Sequence, residues 1–207
     1  MPLRLAILIS GRGSNMEALA HYTAQPDVPA EIVLVLADAE AAGLETAAQL
    51  GLAARSVRRS DHVAAVMAAI DSSRADVVFL AGYMRLLSPQ FCACYADRLF
   101  NIHPSLLPRH KGLDTHARAI AAGDSIHGCS VHMVTEEMDD GLVLAQREVP
   151  VHPDDTPETL AARVLIEEHH LYPSLLGALA TGLLTITDGV PEMAIGILPG
   201  KIKGVSG

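Results

Sequence analysis

Two polar side chains that could stabilise and protonate a reacting group lie two residues apart at the end of an apolar segment. Asn101 and His103 flank Ile102 in RLFNIHPSLLPRHKG, so in an extended strand both side chains point to one side. An amide can stabilise a developing oxyanion, and an imidazole can carry a proton. Pro104 and Pro108 prevent regular structure directly afterwards. The segment predicts a reactive strand end, although a turn amide and a strand-end histidine with satisfied hydrogen bonds would give the same pattern.

Carboxylates that could orient this histidine occur in the acidic turn EEMDDG. Asp139 or Asp140 beside an imidazole would raise its pKa and fix its orientation. An Asp-Gly turn is also a common solvated loop. The sequence therefore leaves open whether either carboxylate reaches His103, and which one does.

A glycine-rich segment, SGRGSN at residues 10–15, separates the first apolar run from a helix that contains Met16 and Leu19. Ser14 is predicted to cap this helix, whose first backbone N–H groups then point towards a bound anion. The segment is neither GxGxxG nor a lysine-containing P-loop, which disfavours dinucleotide and nucleoside triphosphate ligands. It predicts a phosphate cradle, with a plain glycine turn as the alternative.

A further carboxylate interrupts an apolar helix stripe late in the chain. The stripe comprises Leu160, Ala161, Val164, Glu168 and Leu171. A carboxylate that points inward needs a cationic or hydrogen-bonding partner. Glu168 is therefore either a ligand contact or a helix-end residue that reaches solvent.

Apolar runs alternate with helical patterns in the first half of the chain. The runs occupy residues 3–10, 31–38, 75–82 and 98–103, and helices are predicted at 42–51, closed by Gly51, and at 63–70. Continuous apolar runs are typical of strands covered on both faces. The alternation predicts a mostly parallel α/β sheet flanked by helices.

The pattern changes after residue 125. HGCSVHMVT alternates, the acidic turn follows, and LVLAQREVPV reads as a second strand, which together predict an added antiparallel pair. A helix is predicted at about 157–171, with Pro173 ending or kinking it. One domain is expected at 1–190, with a loose tail at 191–207.

Composition excludes several classes of function. The net charge is −9 and no Lys/Arg-rich run occurs, which disfavours nucleic acid as a partner. No apolar run approaches the ~20 residues of a spanning helix, so no membrane association is predicted. Three cysteines without zinc spacing, and ten histidines without HExxH, favour reduced thiols, a cytoplasmic protein and no metal.

Five motifs, in their order along the chain, resemble the phosphoribosylglycinamide formyltransferases from about residue 3 to about 185. They are ISGRGSNMEAL, LAGYMRLLSP, NIHPSLLPRHKG, HGCSVHMVTEEMDDG and ARVLIEEHHLYP. The resemblance implies a Rossmann-like formyltransferase sheet. It also implies formyl transfer from the co-substrate 10-formyltetrahydrofolate to the amine of glycinamide ribonucleotide in purine synthesis, without a metal, by a monomer or homodimer.

The same resemblance assigns the residues of the site. The catalytic residues are Asn101, His103 and Asp139, and the ribonucleotide contacts are Gly13, Ser14, Asn15 and Glu168. The folate contacts are Arg59 (with Arg58 as the alternative), Met84, Arg85, Leu86, Leu87, Asn101, Thr135, Glu136, Glu137, Met138 and Asp139. Residues 1–100 then form a ribonucleotide phosphate-binding half, and residues 101–190 a folate and catalytic half. Asp140 stands where the family often has Gly or Ala, and Leu165 where a polar residue is common.

The expected mechanism is direct transfer, in which the substrate amine attacks the formyl carbon. Asn101 and protonated His103 stabilise the oxyanion, His103 passes a proton to the departing folate nitrogen, and Asp139 keeps His103 charged. Cys92 and Cys94 are expected in a helical region away from the motifs, so no covalent nucleophile is predicted.

Three other functions remain open at this stage. HPSLLP is shared with formyltetrahydrofolate hydrolases, in which water replaces the amine, and with transferases that act on charged tRNA. The net charge of −9 disfavours the tRNA substrate. A non-enzymatic phosphate-ligand binder would leave Asn101 and His103 unexplained. The GSN triplet and Glu168 are the features that favour a ribonucleotide acceptor.

Overall fold

A seven-stranded sheet forms the centre of the protein, for which a computed structural model describes residues 1–57 and 62–194. Its strands in chain order are β1 (Leu3–Ile9), β2 (Ala30–Ala37), β3 (Ala54–Ser56), β4 (Val77–Leu80), β5 (Leu99–His103), β6 (Ile126–Met133) and β7 (Val143–Pro150). Their spatial order is β3-β2-β1-β4-β5-β6-β7. The four apolar runs of the first half correspond to β1, β2, β4 and β5.

The first five strands are parallel, whereas the last two are not. β6 pairs antiparallel with β5, and β7 pairs antiparallel with β6. This confirms a mostly parallel sheet with an added antiparallel pair after residue 125. β3 lies outside the predicted elements because three residues at a sheet edge carry too short a pattern to indicate a strand.

Six helices connect or flank these strands within the described part of the chain. They are α1 (Ser14–Thr23), α2 (Ala42–Gln49), α3 (His62–Ser73), α4 (Pro89–Cys94), α5 (Thr115–Ala121) and α6 (Pro157–Ala180). None of these described helices has the length and hydropathy needed to cross a bilayer. Gly51 adopts a left-handed conformation just after α2, as predicted for a helix terminator.

The last helix continues past the proline that was expected to end or kink it. α6 includes Pro173 and extends to Ala180, so the predicted end at residue 171 is wrong. A proline removes one backbone N–H donor but leaves the rest of the helix able to bury its apolar face. Leu175 and Leu176, which follow the proline, are buried in the main core.

The sheet separates two hydrophobic cores. Along β1, Leu5, Ile7 and Ile9 face one core, whereas Ala6 and Leu8 face the other. The first core contains residues of α1, α2 and α6, and the second contains residues of α3 and α4. Because side chains alternate between the two faces of a strand, burial on both faces requires the continuous apolar run seen in the sequence.

A buried tyrosine attaches α6 to the ends of two central strands. The Tyr172 hydroxyl lies 3.1 Å from the carbonyl oxygen of Leu80 and 3.0 Å from that of Phe100. Its ring stacks on Phe79 with 4.6 Å between the centroids. Phe100 directly precedes Asn101, so this contact fixes α6 against the strand end that carries the predicted reactive pair.

A small hairpin follows α6. β8 (Leu184–Thr187) and β9 (Val190–Met193) pair antiparallel as a separate sheet. Gly189 at the turn donates its backbone N–H to Asp97 Oδ1 at 2.8 Å. The expected domain boundary at residue 190 falls inside this hairpin, and the remainder of the expected tail, residues 195–207, lies outside the described residues.

Replacing Tyr172 with phenylalanine tests the attachment of α6. We expect Tyr172→Phe to lower the free energy of unfolding by about 1–3 kcal/mol, because it removes a donor from two buried carbonyl groups. Urea denaturation measures the change. Tyr22→Phe is the matched control, since the Tyr22 hydroxyl makes no hydrogen bond within residues 1–57 and 62–194. An equal loss of stability in both variants would contradict the assignment.

Candidate active site

Asn101 and His103 stand at the carboxyl end of β5, beside β6. Asn101 is opposite His132 in the antiparallel ladder, and His103 is opposite Ser130. Asn101 is half-buried and His103 is buried. The carboxyl end of a parallel strand is the usual place for ligands in α/β sheets, so the location agrees with the sequence prediction.

Asp139, and not Asp140, is the carboxylate beside the catalytic histidine candidate. His103 Nδ1 lies 3.4 Å from Asp139 Oδ2, and the Gly112 backbone N–H donates to the same oxygen at 2.9 Å. Asp140 instead pairs with Lys111, and its side chain is 57% exposed. Asp139 adopts a left-handed backbone conformation, with φ at 51°.

Burial and the neighbouring polar groups have opposite effects on the pKa of His103, and also on the pKa of Asp139. Burial is the largest influence on His103 and lowers its pKa, although Asp139 and the His110 carbonyl both oppose this change. Burial would raise the pKa of Asp139, but His132, the Gly112 N–H and His103 outweigh it, and the pKa is lowered. In the free protein the structure therefore favours a neutral His103 beside an ionised Asp139, which differs from the expected charged His103.

A histidine that the sequence analysis did not select orients the amide of Asn101. His132 Nδ1 lies 2.7 Å from the carbonyl oxygen of Met133, which can only accept, so Nδ1 carries the proton. Asn101 Nδ2 lies 3.1 Å from Nε2, which accepts one amide N–H whenever the ring is neutral and leaves the second N–H for a ligand. His132 is buried, and its Nε2 is 3.5 Å from Asp139 Oδ1.

The proline-containing loop after β5 is held by hydrogen bonds from the neighbouring strands. Ser130 Oγ donates to the Ser105 carbonyl at 2.6 Å and accepts from the Leu107 N–H at 3.0 Å. Gln146 Nε2 donates to the Leu107 carbonyl at 2.9 Å. At the end of the loop, the His110 carbonyl lies 3.1 Å from His103 Nε2. These bonds hold the loop and place its last carbonyl against the reactive ring.

The glycine-rich turn forms an uncapped helix start. Gly13 is the N-terminal cap residue of α1 in a left-handed conformation, with φ at 77°, and no side chain caps the helix. The prediction that Ser14 caps the helix is therefore wrong, because Ser14 is already the first helical residue. A Cβ on Gly13 would lie 3.1 Å from the Gly43 Cα. Glycine here meets both the positive φ and the close approach of α2, and it leaves the first N–H groups open to an anion.

Asn15 and Glu168 meet in the interior although 153 residues separate them. Asn15 Nδ2 donates to Glu168 Oε2 at 2.6 Å, and the two residues are 8% and 7% exposed. Burial raises the pKa of Glu168, and the hydrogen bond from Asn15 opposes that increase. Asn15 Oδ1 is buried without a hydrogen-bond partner among the described residues, so this amide has an unused acceptor at the edge of the predicted phosphate cradle.

The segments predicted to line folate follow β4 and β6. Residues 84–87 follow β4, and the Met84 N–H donates to Ser10 Oγ of the glycine-rich turn at 2.9 Å. Met84 and Leu86 are exposed, whereas Arg85 and Leu87 are half-buried. Residues 135–138 follow β6 and are exposed. Arg58 and Arg59 lie outside the described residues.

Cys92 is nearer to this region than the sequence predicts. Its Sγ donates to the Thr135 carbonyl at 3.4 Å, so the prediction that it lies away from the motifs is wrong. Burial, together with Glu136 and Glu137, raises the pKa of the thiol. A protonated thiol is a poor nucleophile, which agrees with the expectation that no cysteine acts covalently. That expectation stays a prediction.

The histidine-rich composition does not produce a recognisable metal centre in residues 1–57 and 62–194, where no group of three or more potential ligands could hold an ion.

The sequence did not predict three contacts of the site, which come from His132, Gly112 and the His110 carbonyl. These contacts depend on the register of β6 against β5 and on the path of the loop after β5. Alternation in HGCSVHMVT places His132 on one face of its strand but does not identify its partner.

Comparison with known proteins places the chain among formyl transferases. The formyl transferase family model matches residues 3–176. Phosphoribosylglycinamide formyltransferase of Escherichia coli K12 is 41% identical over 193 residues, covering 90% of this chain and 91% of that protein. The structure of the Brucella melitensis enzyme of the same name is 52% identical, with a TM-score of 0.83 over 88% of this chain and 97% of its own. The Anaplasma phagocytophilum structure has a TM-score of 0.90 at 36% identity and covers 96% of both chains.

The buried Glu168 makes stability depend on pH. Its pKa is raised in the folded state, so the folded protein binds the proton more tightly than the unfolded chain does. Stability therefore falls as the pH rises from the ordinary value of 4.5 towards the raised value. In Glu168→Gln this contribution is absent, and the variant should gain about 1.4 kcal/mol over the wild type for each unit by which the pKa is raised. Urea denaturation of both proteins across this pH interval measures the difference, and a constant difference would contradict the prediction.

Proposed function

The chain belongs to the phosphoribosylglycinamide formyltransferase family, and we propose that it transfers a formyl group from 10-formyltetrahydrofolate to the amine of N1-(5-phospho-D-ribosyl)glycinamide in purine biosynthesis. The observation that carries this proposal is the convergence of Asn101, His103 and Asp139 at the carboxyl end of β5. An amide donor, an imidazole and a carboxylate at one strand end are the groups that formyl transfer to an amine needs.

The ribonucleotide is proposed to bind across the glycine-rich turn and α6. The open N–H groups at the start of α1, with Gly13 and Ser14, suit a phosphate. Asn15 and Glu168 offer an amide oxygen and a carboxylate beside it, which can accept hydrogen bonds from hydroxyl or amine groups. The raised pKa of the buried Glu168 favours a ligand that supplies a donor or a positive charge.

Formyl-folate is proposed to bind on the other side of the reactive pair. Exposed Met84 and Leu86 provide apolar surface, and the backbone of residues 135–138 provides polar groups beside Asp139. The half-buried Arg85 and Leu87 complete this proposed lining. Arg59 remains a proposed folate contact on the resemblance alone. We propose that residues 1–190 act as one domain, with the phosphate cradle in residues 1–100 and the catalytic residues in residues 101–190. Each substrate also contacts the other half, the ribonucleotide through Glu168 and the folate through residues 84–87.

The proposed reaction is direct transfer without a covalent enzyme intermediate. The substrate amine attacks the formyl carbon, and the free amide N–H of Asn101 donates to the oxyanion. Neutral His103 takes a proton released by the attacking amine, and Asp139 stabilises the resulting imidazolium. His103 then passes this proton to the folate nitrogen as the carbon–nitrogen bond breaks. The products are the formylated ribonucleotide and tetrahydrofolate.

The partners are proposed to be these two small molecules. The net charge of −9 supports the absence of a nucleic-acid partner, and the free cysteines are consistent with action in the cytoplasm. We further propose that the protein acts away from membranes, without a metal, and as a monomer or homodimer.

A transfer assay distinguishes this function from hydrolysis of the same folate. Purified protein with 10-formyltetrahydrofolate and glycinamide ribonucleotide should form the formylated ribonucleotide, because an amine is a stronger nucleophile than water. Mass spectrometry detects this product, and a parallel reaction without ribonucleotide measures formate. Ribonucleotide-independent formate release, with no formylated product, would support a hydrolase instead.

The two adjacent aspartates provide a matched pair of variants. We expect His103→Ala and Asp139→Asn each to lower kcat by about 100-fold or more, because they remove the proton carrier or the charge that stabilises its imidazolium. Asp140→Asn should change kcat less than about threefold, since Asp140 is paired with Lys111 at the surface. Circular dichroism checks that each variant is folded. Near-normal turnover in folded Asp139→Asn would exclude the proposed role of this carboxylate.

A further inference from the structure

The loop that follows β5 brings a backbone acceptor to the second ring nitrogen of His103. His110 adopts a left-handed conformation, with φ at 53°, and its carbonyl oxygen lies 3.1 Å from His103 Nε2. A non-glycine residue in this conformation needs support from its surroundings. The orientation of this carbonyl therefore depends on what holds His110.

The His110 side chain is held by a buried carboxylate from the segment after α5. His110 Nε2 lies 2.7 Å from Asp124 Oδ2, and the Asp124 side chain is 6% exposed. Arg109 pairs with the other oxygen of Asp124, but its own side chain is 55% exposed. The hydrogen bond from His110 is the main reason that the pKa of Asp124 is lowered. Asp124 is itself fixed to α5, because its N–H donates to the Ala119 carbonyl at 3.1 Å.

The His110 carbonyl has a chemical consequence for His103. A carbonyl oxygen only accepts, so the contact requires a proton on Nε2. Asp139 Oδ2 faces Nδ1 on the other side of the ring. Once a second proton arrives at Nδ1, the Nε2–H still donates to the His110 carbonyl, and the Asp139 carboxylate lies 3.4 Å from Nδ1. The ring therefore receives the proton without reorientation.

We propose that His110 and Asp124 are positioning residues for His103: the Asp124 carboxylate holds the His110 side chain, and thereby keeps the His110 carbonyl against Nε2 while the ring takes up and releases a proton at Nδ1. The effect on catalysis rests on the proposed formyl transfer. Neither residue is among the proposed substrate contacts, and their contribution acts through the orientation and protonation of His103.

Other charged and titratable groups surround this arrangement. Those that act on His103 are Asp139, His132, Arg118 and His116, and those beside His110 and Asp124 are Arg109 and His127. His127 packs edge-on to His110 at 5.9 Å, and burial with its histidine neighbours lowers its pKa to about 4. His127 therefore stays neutral at pH 7, and His110 and Arg109 are the side chains that contact the Asp124 carboxylate.

Variants at Asp124, His110 and Arg109 separate positioning from general loop stability. Asp124→Ala removes the carboxylate that binds the His110 side chain, whereas Asp124→Asn keeps an oxygen that can accept a hydrogen bond from it. In His110→Asn the new side chain suits the left-handed backbone but is too short to reach Asp124. Arg109→Gln is the control, because it removes the exposed partner of the same carboxylate. Nitrogen-15 NMR of the full-length protein without substrate reports the pKa and tautomer of His103, and steady-state kinetics reports kcat and KM.

We expect the His103 pKa to fall in Asp124→Ala and His110→Asn, since a proton acceptor of its ring is displaced. The Nε2–H signal should weaken, and kcat should drop by about tenfold with little change in either KM. Asp124→Asn should recover part of both effects, and Arg109→Gln should resemble the wild type. If Asp124→Ala does not fold, His110→Asn carries the test, and Asp124→Asn should then fall between the wild type and His110→Asn.

Two results would overturn the proposal. One is a wild-type His103 pKa and tautomer in folded Asp124→Ala or His110→Asn. The other is an effect of Arg109→Gln as large as that of Asp124→Ala, which would indicate a general charge effect. The NMR measurement needs no substrate, so failure of the proposed transferase function in the wild type would be seen in the kinetics alone.

Discussion

The position of α6 in the main core is the constraint on which both halves of the site depend. About one turn apart, Glu168 of this helix contacts Asn15 at the glycine-rich turn and Tyr172 contacts the carbonyl groups at the ends of β4 and β5. Its apolar residues pack in the core that also contains β1 and α1. Because these anchors lie on one rigid helix, the distance between the proposed phosphate cradle and the reactive strand end is set by helix geometry.

The reactive pair illustrates how burial changes the role of a histidine. An adjacent carboxylate raises the pKa of an exposed imidazole, which was the basis for expecting a charged His103. Here burial outweighs Asp139, and the pKa of His103 is lowered. A neutral ring beside an ionised carboxylate suits proton uptake from an attacking amine, because the charge appears only during the reaction.

Predictions from local sequence were right where neighbouring residues determine the conformation, and wrong where tertiary packing determines it. Gly51 after α2 and the apolar stripe around Glu168 follow from backbone preference and helix periodicity, and the structure has both. Ser14 has the right type for a helix cap, but it is already the first helical residue, and the cap position falls on Gly13, where the positive φ and the close approach of α2 require glycine. Pro173 is a helix breaker by local preference, yet the buried residues after it keep α6 continuous.

The sequence by itself determined the α/β class, the polar pair Asn101 and His103 at a strand end, and the membership of a formyl transferase family. These follow from hydrophobic periodicity, strand alternation and motif order, which are properties of neighbouring residues. Only the tertiary structure decided that Asp139 and not Asp140 faces His103, that Asn15 bonds Glu168, and that the His110 carbonyl meets the reactive ring. Each of these contacts joins separate segments, and strand register and loop path, which no local pattern encodes, set their geometry.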